Sequence, residues 1–187
     1  RTNILYMNSA KNAKTVLVTS CTPQEGKSWV SANIATSFAK TNKKVLLIDA
    51  DMRKGRAHRI FKVSNKKGLS NYLNHITGNV RKDIRLGINY IQETKIPNLH
   101  ILTNGTVPPN PSELLGSKNM KELIAILKNV YDIIIVDAPP CKLVTDSIVL
   151  STVMDSTILV VNSEITKINE LNEVKKSIRT VGGEIIG

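Results

Sequence analysis

An α/β architecture, a doubly wound and mainly parallel sheet with helices on both faces, is what this sequence predicts. Three observations predict it. The apolar runs "TVLV", "KVLLI" and "YDIIIV" are continuous rather than alternating, as in strands buried on both faces. Segments with helical spacing separate them, the arrangement that connects parallel strands. Acids close two of the runs, Asp49 and Asp51 after one and Asp137 after another. Those are the carboxyl ends of strands, where open α/β sheets bind ligands.

The elements follow in order. A strand is expected over 15–19, then a helix over 27–40 with Val30, Ile34, Ala35 and Phe38 on one side. "KVLLIDAD" forms the second strand. Residues 54–67 are basic and irregular, with one helical turn around 58–61. "GLSNYLNHI" reads as a short helix and "NLHILTNG" as a third strand. "PPNPSELL" opens a helix, with Pro111 before a Ser112 cap and Glu113 after it. "NMKELIAILKNV" is an amphipathic helix and "YDIIIVDAPP" a fourth strand. "TDSIVLSTVM" is helix, "STILVVN" strand, "KINELNEVKKSIRTV" helix and "EIIG" a last strand.

Length and composition bound the rest. The 187 residues suffice for one full core and at most a small second lobe. No apolar run approaches the roughly 20 residues of a spanning helix, and no signal peptide is visible. Two cysteines, Cys21 and Cys141, make no disulfide framework and point to a reducing compartment. The net charge of +11 suits nucleic acid, anionic lipid or an acidic or phosphorylated substrate, or simply a solvated lysine-rich surface. The densest cluster is Arg53, Lys54, Arg56, His58, Arg59, Lys62, Lys66 and Lys67. An aromatic content of 4% argues against a base-stacking surface. His58, His75 and His100 lack metal-ligand spacing, so no zinc site is expected.

The chemistry lies in "SCTPQEGKSW". Gly26-Lys27-Ser28 follows a strand and opens a helix, the context a phosphate loop requires. Backbone N–H groups there face an anion, Lys27 reaches the β- and γ-phosphates, and Ser28 offers its hydroxyl to Mg2+. Residues Thr22, Pro23, Gln24, Glu25, Gly26, Lys27, Ser28 and Trp29 are the expected ATP contacts, although Trp29 suits helix packing better than an adenine stack. The strict pattern has Gly where Cys21 stands. Asp49 and Asp51 alternate at a buried strand tip, costly unless they meet a cation or donors. Taken alone they could pair with Arg53 or Lys54 in a polar loop. Asp137 closes a second buried strand as a Mg2+ acid or, alone, a turn cap. Cys141 fits as a small packing residue. In this order the three elements specify a nucleotide–Mg2+ site of P-loop type.

At these residues the chain resembles the bacterial tyrosine kinases of capsule and exopolysaccharide export systems. "VTSCTPQEGKS", "VLLIDADMRKG" and "IIIVDAPP" resemble their Walker A, A′ and B motifs, and "NGTVPPNPSELLGSKNM" the segment before the Walker B strand. "RTNI" resembles the end of their N-terminal Arg-bearing helix, of which Arg1 would remain. The resemblance implies one P-loop kinase domain over 1–187, truncated at both ends, with the oligomerisation helix and the C-terminal tyrosine tail lying outside it. It implies ATP as donor, a tyrosine hydroxyl as acceptor, Lys27 and Asp49 as catalytic residues with Asp49 taking the tyrosine proton, and Ser28, Asp51 and Asp137 around Mg2+. Arg53 would support the A′ loop. The implied partners are the cytoplasmic segment of a transmembrane activator, further copies in a ring, and the tyrosine-rich tail of a neighbouring subunit or partner. No nucleic acid is implied. The implied place is the inner face of the cell membrane. Polysaccharide synthesis or export is the process the resemblance implies.

Gln24 departs from the family, which usually has Gly there, and a positive φ at that position would strain it. Cys21, between a strand and a helix N-terminus near Lys27, could have a lowered thiol pKa and make the site redox-sensitive, or could be an unreactive thiol in a Ser-sized slot. Two other functions fit the same motifs. One is a partition- or division-site-type ATPase switch that binds DNA or membrane; the other is a non-catalytic nucleotide-binding scaffold. Tyr6, Tyr72, Tyr90 and Tyr131 are scattered, with none beside another.

Overall fold

The computed structural model describes residues 13–75 and 89–187. Arg1 and Tyr6 lie outside them. A six-stranded sheet runs in the order β3-β4-β2-β5-β1-β6. Its strands are β1 (Thr15–Ser20), β2 (Val45–Asp49), β3 (Gln92–Glu93), β4 (Leu99–Leu102), β5 (Ile133–Asp137) and β6 (Ser156–Val160). All pairings are parallel except β3 with β4. The described helices are α1 (Lys27–Ala39), α2 (Ala57–Phe61), α3 (Leu69–Asn74), α4 (Pro111–Gly116), α5 (Lys118–Leu127), α6 (Asp146–Ser151) and α7 (Ile168–Thr180). None is long and apolar enough to cross a membrane.

The continuous apolar runs are explained by two cores, one on each face. Leu17, Leu46, Ile48, Ile134 and Val136 pack with α3, α5 and α6. Their sequence neighbours Val16, Val18, Val45, Leu47, Ile133 and Ile135 point the other way, against Ala35 and Phe38 of α1. Phe38 has no exposed surface, and truncating it to Ala would cost about 3–5 kcal/mol.

Two expectations need correction, and one strand was not expected at all. The expected last strand shrinks to an isolated bridge between Thr157 and Ile185, held beside it by hydrogen bonds such as Ile186 N–H to the Thr157 carbonyl at 2.9 Å. The antiparallel edge strand β3 is unanticipated, because two residues carry no periodicity. Ser112 is no cap: Pro111 occupies the first turn of α4 after Asn110, which leaves the Ser112 hydroxyl free to act elsewhere.

Candidate active site

Three adjacent strands, β2, β5 and β1, bring the expected residues to one end of the sheet. In the β5–β2 ladder Asp49 stands directly opposite Asp137. The loop after β1 leads into α1, whose N-cap is Gly26 at φ 85°. Gln24 also takes a positive φ, 68°, in the region where an L-residue is strained. The loop is braced from within. The Thr22 N–H donates to Glu25 Oε2 at 2.6 Å, and Glu25 Oε1 accepts from the Thr166 hydroxyl and the Asn162 N–H. Glu25 is therefore buried and tied to the segment after β6, not turned toward a ligand.

A cavity of about 770 Å³ opens beside this loop. Pro23, Gln24, Gly26, Lys27, Ser28 and Trp29 line it, while Thr22 and Glu25 do not. Trp29 is 66% exposed, so the expected role in helix packing is wrong. The buried face of α1 runs through Ser31, Ala35, Phe38 and Ala39. Trp29 stands about 200° round the helix from Ser31 and projects into solvent.

The acids divide by position. Asp51 lines the cavity, and its Oδ2 lies 3.2 Å from Lys27 Nζ. Its Oδ1 accepts the N–H groups of Arg53 and Lys54 at 3.3 and 2.9 Å. Asp137 is buried behind α1, where Ser31 donates to its Oδ1 at 3.2 Å and Oδ2 finds no partner. Burial pushes the Asp137 carboxyl up to about 6, against the pull of the Lys27 charge and of the nearby Ser28 side chain. Asp49 has no exposed surface and does not line the cavity. Its two oxygens accept the N–H groups of Asp51 and Ala57 at 3.2 and 3.0 Å. Burial, then the nearby Asp137 charge, holds its carboxyl well above the usual range. Gly55 passes so close that a Cβ there would sit 2.6 Å from Asp49 Oδ2. This placement differs from the expectation of an Asp49 that meets an acceptor hydroxyl.

The donors fit a divalent cation whose shell a nucleotide completes. Asp137 offers an unpartnered buried oxygen, the Ser28 side chain acts on that carboxylate electrostatically and lines the cavity, and Asp51 faces the cavity. No three His, Cys, Asp or Glu side chains among the described residues form a ready cage. The remaining ligands would then be phosphate and water, as is usual for Mg2+.

Arg53 reveals a connection that sequence reasoning missed. Its Nε and Nη2 donate to Asp146 at 3.2 and 3.4 Å. Asp146 is fully buried at the start of α6 and also accepts the Ser112 hydroxyl. The segment "PPNPSELL" is thus tied to the A′ loop through one carboxylate. The cysteines behave differently from the reactive option. Cys21 is fully buried, and burial followed by the Glu25 charge pushes its thiol up to about 11. It packs with Cys141 in a small apolar cluster.

Comparison with known proteins now decides the family. Residues 10–185 match the model of the AAA domain family. The putative tyrosine-protein kinase CapB of Staphylococcus aureus is 38% identical over all of this chain, which covers 78% of it. Tyrosine-protein kinase YwqD of Bacillus subtilis strain 168 is also 38% identical, again over the whole chain, with 76% of it covered. The chain belongs to the bacterial tyrosine kinases. Solved structures agree. The chimerical protein CapA2B2 superposes with TM-score 0.89 at 35% identity, covering 100% of this chain and 79% of that one. The kinase domain of Escherichia coli tyrosine kinase ETK superposes at 0.86 and 32%, covering 98% and 70%. The Pyrococcus furiosus cell-division ATPase MinD, at 0.73 and 23%, shares the fold. The P-loop fold of this bacterial tyrosine kinase implies nucleotide binding.

Proposed function

We propose that this chain transfers the γ-phosphoryl group of ATP to tyrosine hydroxyls in the service of capsular or extracellular polysaccharide synthesis or export. The observation that carries the reading is the Lys27–Asp51 pair on the cavity wall, with the buried, unpartnered Asp137 oxygen behind the same phosphate loop. Phosphoryl transfer depends chiefly on positioning and on charge stabilisation. Gly26 and the first turn of α1 present N–H groups to phosphate. Lys27 leaves Asp51 for the β- and γ-phosphates when nucleotide enters. Ser28, Asp51 and Asp137 would hold Mg2+, which neutralises charge on the phosphates. Asp49 acts as a positioning residue: it fixes the backbone of 51–57 and so aims Asp51 into the cavity. Arg53, held by Asp146, braces the same loop.

The single-domain organisation over 1–187 and the partners remain part of this proposal. The cytoplasmic segment of a transmembrane activator should speed transfer, and would place the chain at the inner face of the membrane. Ring assembly and presentation of a neighbour's tyrosine-rich tail complete the scheme.

The test is incubation with Mg-ATP and a tyrosine-rich peptide, followed by phosphosite mass spectrometry, with a Lys27→Met control. Lys27-dependent phosphotyrosine is expected. ATP hydrolysis without phosphotyrosine would identify an ATPase switch instead. Tyr72 and Tyr131 are buried, so high-yield modification of either would also contradict this reading.

A further inference from the structure

The cavity mouth carries unmatched positive charge. Lys54, Arg56 and Arg59 line the cavity and are exposed. Among the described residues none of the three forms an ion pair, whereas their neighbour Arg53 is held by Asp146. Among the described residues Asp51 is the one acid on the wall, and Lys27 already pairs with it. Apolar groups interleave with the cations: Trp29 and Leu143, 66% and 62% exposed, and the half-buried Ile60.

The backbone that carries these cations is fixed in place. Arg56 immediately precedes α2, and the Ala57 N–H beside it is bound by the buried Asp49 at 3.0 Å. Arg59 follows on the same helix, with its N–H donating to the Arg56 carbonyl at 3.0 Å. A nucleotide has its own partners on another segment, at Gly26, Lys27 and Ser28, so the charge on 54–59 is left for a second ligand.

Resting on the kinase reading, we infer that Lys54, Arg56 and Arg59 select the acceptor: they bind acidic side chains flanking the tyrosine, while Trp29, Ile60 and Leu143 receive its ring. Arginine forks match carboxylates in two-point contacts. Complementary charge at a rim speeds encounter and rejects like-charged partners. A peptide loop suits this surface better than a bilayer, because the cations line a concavity. It also suits it better than nucleic acid, because among the described residues only Trp29 brings an aromatic ring to the cavity.

The experiment uses three peptides of equal length with one central tyrosine flanked by Glu, Ser or Lys. For the unmodified chain, KM should rise in that order, with about 3- to 30-fold between the Glu and Lys peptides at low salt. The gap should narrow as salt rises. The Arg56→Glu/Arg59→Glu variant should reverse the order and leave Mg-ADP affinity unchanged; Arg56→Gln/Arg59→Gln should flatten it. Retained Mg-ADP affinity shows that both variants are folded. Equal KM for the three peptides, or an order the variants do not alter, would overturn the inference while the kinase reading stands. Equal KM with loss of phosphatidylserine-vesicle binding in the Glu variant would assign the patch to a membrane and overturn it as well. No phosphotyrosine on any of the three peptides would overturn both readings together.

Discussion

Lys27 and Asp51 face each other across 3.2 Å at the cavity wall, while Asp49, two residues before Asp51, is sealed from it. The two A′ acids, alike in sequence, therefore do different work. Asp51→Asn should weaken Mg-ADP binding, measured by calorimetry, and lower transfer. Asp49→Asn loses an acceptor for the Asp51 or Ala57 N–H and should lower nucleotide affinity and transfer together. A loss of about 10²–10⁴-fold in transfer at unchanged affinity would make Asp49 the general base instead.

Removing Asp146 should loosen a loop it does not belong to. Asp146→Ala strips Arg53 and Ser112 of a shared acceptor. The expected loss is about 1–3 kcal/mol in chemical denaturation, with about 1 kcal/mol for Ser112→Ala. An Asp146→Ala midpoint equal to that of the unmodified chain would show that the link is inconsequential.

Gln24 holds φ 68° without the freedom of glycine. Gln24→Gly relieves that strain at some cost in unfolded-chain entropy, so stability should stay within about 1 kcal/mol. Gln24→Val puts a β-branched residue in the same conformation and should cost more, with weaker ADP binding. Thermal unfolding of the pair, with and without Mg-ADP, checks the order.

Cys21 should be inert in the folded chain. A thiol near pKa 11 is thiolate about once in a thousand at pH 8, and this one has no exposed surface. Iodoacetamide should modify it only after denaturation, and added nucleotide should not change the native rate. Native alkylation at the rate of a free thiol would mean that the loop opens readily.

The parallel sheet was legible because its strands are apolar without interruption and end on acids. The phosphate loop was legible because Gly26-Lys27-Ser28 sits between a strand and a helix. What escaped depends on partners distant in the chain. Asp146 looks like any acid opening a helix until Arg53, 93 residues earlier, is placed beside it. Glu25 sits in the motif but bonds to Thr166, 141 residues later. Trp29 follows apolar-looking helix spacing, yet the small residues Ser31 and Ala35 define the buried stripe and turn it outward. Asp49 and Asp51 differ only in which way a strand end curls, which no local pattern encodes.

β5 is flanked on both sides by parallel neighbours and ends at Asp137, whereas the Lys27 side of the site begins in a loop. The two halves should therefore keep different clocks. Amide hydrogens of β5 should exchange with solvent only through global opening, while those of 22–26 exchange through local fluctuations. Deuterium labelling with added nucleotide should slow the loop first. Capturing a ligand then means quieting a few loop residues against carboxylates that are already in place.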